Sequence, residues 1–225
     1  GDYELKKLYA IGTGPGDKKY LTLWAVEALK EADVIFAPDN KGKNMALDTV
    51  RDFIDDKRIV YLDFPMGFVT EDHYKKAFEI IEKEIPDGKS GAFVTIGDAT
   101  VYSTLVNTIH YARDMEIEFV PGVPSFLAAA NRLSVPLVKK GEAFVLCEDV
   151  NEEILSAADA VAILKTFKNP SKEEIIKKLK AGGFEYKYIS NISAANERVA
   201  ETDQEILAEE NYLSLIIGRR EKNDR

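Results

Sequence analysis

The chain has 225 residues, of which 45% are apolar and 31% charged, and a formal net charge of −9. That is the composition of a globular protein long enough for one large or two modest domains. The acidic balance excludes a general nucleic-acid binder, which needs a basic footprint, and no apolar run approaches the ~18 residues of a membrane span.

Apolar runs alternate with helical patterns along the first part of the chain. Residues 8–11 predict a strand buried on both faces. Residues 21–32 predict a helix with Leu21, Leu23, Val26, Ala28 and Leu29 on or near one face. A strand follows at 33–36, a helix at 45–53 and a strand at 58–62, which "DFPMG" ends. Residues 72–85 form a helical pattern stopped by Pro86 and Gly88. A strand at 91–96, a helix at 101–113, a strand at 117–120 and a helix at 125–133 complete the series. This βαβα order predicts an α/β fold with a mostly parallel sheet covered by helices.

Residues 134–142, "SVPLVKKGE", turn polar and read as a linker. The expected domains are therefore 1–136, with the glycine-rich turns, and 137–225. The second carries strands at 143–147, 160–164, 186–190 and 212–217, and a helix at 173–180 closed by Gly182-Gly183. It reads as a smaller α/β domain with more hairpin-like connections near its end.

The single cysteine, Cys147, lies in the apolar stretch "AFVLC" and reads as a small buried residue. The start, "GDYELKKLYAIG", lacks the extended apolar core of a secretory signal, so a cytoplasmic protein is expected. Lys139-Lys140 and Arg219-Arg220 are local basic exceptions on an acidic chain.

Three stretches invite a ligand. In "LYAIGTGPGD", Gly12, Gly14 and Gly16 follow an apolar strand. The third glycine comes one residue too early for a dinucleotide fingerprint, and Asp17 stands where that glycine belongs and would repel a pyrophosphate. The glycines still call for a sharp bend with positive φ and a close approach. In "VTIGDATVYST" a strand ends at Gly97-Asp98. Asp98 can accept hydrogen bonds from a ligand or cap the helix that follows. In "FVPGVPSFLAAANRL" a strand stops at Pro121-Gly122, and Ser125 can cap the next helix or meet a ligand. Loops at the carboxyl ends of parallel strands are where open α/β sheets bind ligands, so the three turns are expected to converge on one sheet edge. His73 reads as a solvent-facing residue near a helix start and His110 as a half-buried helix residue. No metal-ligating cluster, nucleophile elbow, Walker loop or paired-cysteine motif competes.

Together "GTGPGD…LTLWAVEALKEADVIFAP", "TIGDATVYST" and "VPGVPSFLAAANRLSVPL" resemble the tetrapyrrole (corrin/porphyrin) methylase family, whose members are S-adenosylmethionine (SAM)-dependent. Within it, "LDFPMG" and "DATVYST" resemble the branch that methylates precorrin-2 or cobalt-factor II at C20 in cobalamin biosynthesis. The resemblance implies two α/β domains with SAM in a trough between them, a tetrapyrrole substrate and a homodimer; the acidic charge and the lack of an apolar span argue against nucleic acid and membrane as partners. It implies cofactor-binding roles for Pro15, Ile96, Gly97, Asp98, Val101, Tyr102, Ser103, Thr104, Pro124, Ser125, Phe126, Leu164, Lys165 and Thr166. Residues 191–194 and 215–217 are looser candidates. Asp98 or Tyr102 would take the proton that C20 loses, and Arg132, Lys139, Lys140 and Lys165 could pair with the macrocycle's carboxylates. Two departures stand out. Pro124 replaces a usual threonine, and "SNISAANERV" lacks the expected glycine or proline. The alternatives are a family member acting on another corrin carbon, on ribosomal RNA or on the diphthamide precursor, and a non-catalytic nucleotide-binding module. The acidic charge and "FPM" speak against RNA.

Overall fold

The computed structural model describes residues 5–39, 44–65, 68–166, 171–211 and 213–220. Met66 and Gly67 of "LDFPMG", and Tyr212 at the start of the last expected strand, lie outside them. The chain divides into two compact units, Gly1–Pro124 and Ser125–Arg225.

The first unit alternates strand and helix. β1 (Lys6–Gly12) leads through a single turn at Lys18–Tyr20 to α1 (Leu23–Glu31). β2 (Val34–Asp39), α2 (Met45–Val50), β3 (Arg58–Asp63), α3 (Glu71–Glu84), β4 (Ser90–Thr95), α4 (Thr104–Ile109) and β5 (Met115–Val120) follow. The sheet order is β3-β2-β4-β1-β5 and every pairing is parallel. A parallel sheet covered on both faces needs continuous apolar strands, which is why Leu8, Tyr9, Ala10 and Ile11 are all buried. Tyr9 and Ile11 join Ala25, Ala28, Leu29 and Leu47 on the α1–α2 face. Leu8 and Ala10 join Phe36, Ala77, Ile81 and Phe93 on the other.

Helix starts follow side-chain caps. Thr22 accepts the Ala25 N–H at 3.0 Å, and Thr70 and His73 form a reciprocal capping box at the head of α3. His73 is thus a capping residue, whereas His110 is exposed at the end of α4 rather than half-buried. The buried face of α1 is Ala25, Ala28 and Leu29, and Leu23 is exposed. The helix expected over 45–53 breaks after Val50 into a tighter turn at Arg51–Phe53. The helix expected over 101–113 shrinks to α4 because Tyr102 adopts φ +47 and the helix begins only after the Ser103 cap.

The second unit begins with α5 (Ser125–Leu133), which the sequence reading groups with the first domain and which touches the last strand of this unit. β6 (Phe144–Cys147), α6 (Glu152–Ala157), β7 (Ala160–Leu164), α7 (Lys172–Ala181), β8 (Phe184–Ser190), β9 (Arg198–Ala200), α8 (Asp203–Ala208) and β10 (Ser214–Arg220) complete it. The sheet order is β6-β7-β10-β8-β9, with β10 antiparallel to both neighbours. The polar stretch at 134–142 is pinned to this sheet. Arg219 donates to the carbonyls of Pro136 and Leu137 at 2.8 and 3.2 Å and grips both Glu142 oxygens at 2.9 and 2.8 Å. Among the described residues no helix is long and apolar enough to cross a membrane.

Candidate functional site

The carboxyl ends of β1, β4 and β5 lie on one edge of the first sheet because the three strands are parallel neighbours. There the glycine turns close on each other. The Gly97 N–H donates to Gly14 O at 2.8 Å, and the Gly14 N–H donates to Gly97 O at 3.1 Å. Thr13 is fully buried, and its N–H and hydroxyl both donate to Thr95 O, at 2.8 and 3.0 Å. Gly14 (φ +80) and Gly97 (φ +68) adopt the left-handed backbone that favours glycine. Gly12 is glycine for a different reason. A Cβ there would stand 2.4 Å from Gly97 O, and one on Gly122 would stand 2.2 Å from the same oxygen. The close approach foreseen for these glycines is therefore made by the protein's own backbone.

Asp98 completes the junction. One carboxylate oxygen accepts the Thr100 N–H at 2.8 Å and the Thr100 hydroxyl at 2.6 Å; the other accepts the Gly122 N–H at 2.9 Å. Burial pushes the Asp98 carboxyl up, but the Thr100 hydroxyl and the Gly122 and Thr100 N–H groups together outweigh it and hold it below its ordinary range. Asp98 does not cap α4. Ser103 does, accepting the Leu105 N–H at 3.1 Å. Sequence reasoning missed Thr13 and Thr100. An Asp followed two residues later by Thr is the pattern of a local side-chain turn and was the available signal for Thr100.

Around this junction the first unit gathers the expected residues. Pro15 is buried directly after Gly14, and Ile96 is exposed beside Gly97. Val101, Ser103 and Thr104 are half-buried, Tyr102 is 53% exposed, and Pro124 follows Gly122 by two residues. Tyr102 is bulky and yet left-handed, a conformation kept only where surroundings over-determine it and common at functional sites. The edge thus presents an ionised carboxylate, an exposed aromatic ring and an exposed aliphatic side chain. That chemistry fits a small cation with an apolar body.

In the second unit, Ser125 and Phe126 open α5, and the Phe126 ring packs 5.6 Å from Phe144. Leu164 ends β7 and pairs with Leu215 near the start of β10, and Lys165 and Thr166 follow it. Lys165 is left-handed at φ +55, and Thr166 is buried. The stretch without glycine or proline solves its turn with Asn191 (φ +51) and Ser193 (φ +64). Glu197 holds it by accepting the Ser193 N–H at 3.1 Å and pairing with Arg132 at 2.8 Å. Arg132 and Lys165 were expected to meet substrate carboxylates. Both already face a carboxylate of the chain, Arg132 on Glu197 and Lys165 on Glu148 at 2.7 Å. Lys139 and Lys140 are exposed.

The two units define an α/β chain whose first sheet ends in an edge built from glycine turns, the place where open α/β sheets take ligands. The family model described as Tetrapyrrole (Corrin/Porphyrin) Methylases matches residues 7–208, and the chain belongs to that family. It is 37% identical over 180 residues to a probable cobalt-precorrin-2 C(20)-methyltransferase of Methanocaldococcus jannaschii, covering 77% of this chain and 78% of the relative. It is 32% identical over 173 residues to the cobalt-precorrin-2 C(20)-methyltransferase of Salmonella typhimurium, covering 72% and 73%. A crystal structure of uroporphyrin-III C-methyl transferase from Thermus thermophilus, complexed with S-adenosylhomocysteine, superposes with a TM-score of 0.69 at 21% identity. It covers 95% of this chain and 97% of that one, and at this identity the likeness shows the shared fold.

Proposed function

We propose that this chain is a SAM-dependent C-methyltransferase that acts at C20 of a precorrin-2-type corrinoid, with or without cobalt, in cobalamin biosynthesis. The names of the Methanocaldococcus jannaschii and Salmonella typhimurium relatives support the substrate class. The observation that carries the reading is the junction of Gly12, Gly14, Gly97 and Gly122, a rigid backbone platform at the one sheet edge where parallel α/β folds take ligands.

When bound, SAM supplies a methyl group on a sulfonium, which becomes a neutral thioether as the methyl moves to carbon. What the chain must supply is position and a dry surface. Well-oriented partners recover roughly 7–11 kcal/mol of barrier, and a charge-dispersing step gains where water is excluded. Pro15, Ile96, Gly97, Asp98 and residues 101–104 are proposed to hold the cofactor from the first unit, together with Pro124. Ser125, Phe126, Leu164, Lys165 and Thr166 are proposed from the second unit on the family resemblance alone. Asp98 is committed to Gly122 and Thr100 and its carboxyl is a weak base. Its role in this reading is to fix the platform in ionised form near a cation. Tyr102 is the better placed of the two to meet the acceptor, being exposed and locked in its turn. A homodimer and a cytoplasmic location belong to the same reading. The exposed Leu23 (86%) and Trp24 (40%) at the head of α1 support self-association.

A turnover assay with SAM and cobalt-precorrin-2 tests the function. A product in which one methyl replaces a hydrogen at C20 is expected. SAM binding without turnover on either the cobalt-containing or the metal-free acceptor would overturn the substrate assignment.

A further inference from the structure

The end of the second sheet where β7 and β8 finish holds a set of buried hydroxyls, of which the proposed function uses only Thr166. Tyr188 and Ser190 are two residues apart on β8 and share one face of the sheet. Ser214 opens β10 opposite Ser190. Tyr188 and Ser190 are 0% exposed, Thr166 1% and Ser214 8%. The hydroxyl oxygens of Thr166 and Ser214 are 2.7 Å apart, a well-formed hydrogen bond. The Tyr188 hydroxyl is buried and makes no hydrogen bond among the described residues.

Buried hydroxyls carry a desolvation cost that apolar residues of the same size would avoid, so their presence here asks for a reason. One of them, Ser214, bonds to Thr166, the residue after Lys165, whose backbone is left-handed. The Thr166 side chain is buried and its hydroxyl is spent on Ser214, so it does not reach out to a ligand. What the segment at 164–166 can offer a ligand is its backbone and the Lys165 side chain.

We propose that Ser214 is a positioning residue for the cofactor: through the Thr166 hydroxyl it fixes the left-handed turn at Lys165. The inference rests on the reading of residues 164–166 as a cofactor-binding segment, and Ser214 itself touches no ligand.

Calorimetric titration of the full chain with S-adenosylhomocysteine tests it, with melting temperatures recorded alongside. Ser214→Ala and Thr166→Val should each raise Kd about fivefold to tenfold, the worth of one neutral hydrogen bond. The double variant should be no weaker than about tenfold, because both changes remove the same bond. Thr166→Ser keeps the hydroxyl and should stay within about twofold of wild type. A lowered melting temperature with unchanged Kd would make the bond merely structural and overturn the proposal. So would losses that multiply in the double variant. If Ser214→Ala fails to fold, Thr166→Val against Thr166→Ser decides by the same measure. A wild type without affinity would sink the proposed function and this inference together, whereas variants that match a binding wild type sink this inference alone.

Discussion

The Asp98 carboxylate accepts the Gly122 N–H at 2.9 Å and so ties the end of β4 to the end of β5 across the strand between them. β1 runs under this bond, and its last residue, Gly12, lies so close that a Cβ would fall 2.9 Å from Asp98 Cα and 3.0 Å from Gly122 Cα. One charge-assisted hydrogen bond and one missing side chain therefore hold three strand ends in register.

Because hydrogen bonds depress the Asp98 carboxyl, its contribution to stability is fully present above the ordinary value of 3.8 and is lost as pH falls through the lower folded value. Asp98→Asn is expected to cost about 1 kcal/mol at pH 7, a figure reduced for the partial exposure of the group. It should also flatten the fall in stability below about pH 4, where the wild-type carboxylate takes up its proton. Urea denaturation from pH 7 to pH 2 reads both effects. Parallel curves for the two proteins would contradict the account.

Gly12→Ala and Gly141→Ala separate two uses of glycine. At Gly12 the new methyl meets backbone atoms that cannot step aside, and a loss of about 3 kcal/mol is expected. At Gly141 nothing lies within 4 Å, but φ is +81, so the cost is that of a left-handed alanine, about 1 kcal/mol. Denaturant midpoints with unchanged slopes would report the difference. Equal losses would mean that the crowding at Gly12 relaxes.

Cys147 is 8% exposed, and burial, with the Asp149 carboxylate beside it, pushes its thiol up to about 11. The thiolate is the reactive form, so the folded protein should resist alkylation at pH 8 and label fully once unfolded. Comparable labelling rates with and without denaturant would place the thiol at the surface.

Much of this was legible in the chain. Four-residue apolar runs such as 8–11 announce strands buried on both faces, and the glycines after them mark the edge where the strands end. The bond between Asp98 and Gly122 was not legible, because its partners are 24 residues apart and nothing local encodes a pairing across β1. The left-handed Tyr102 was not foreseen either, since a bulky residue rarely adopts that state without tertiary enforcement. The short α6, β9 and α8 escaped for a related reason. The two helices bury one residue each, Leu155 and Ile206, and β9 spans three residues, too few for a period to show. The reading of Asp98 as a helix cap failed because Ser103 is closer to the helix and takes that place.

The central claim is that the glycine junction belongs to the seat of a methyl donor. Titrating the wild-type chain with S-adenosylhomocysteine in a calorimeter tests it most directly. The account predicts saturable heat with one ligand per chain and a raised melting temperature. A flat titration with no thermal shift would contradict it.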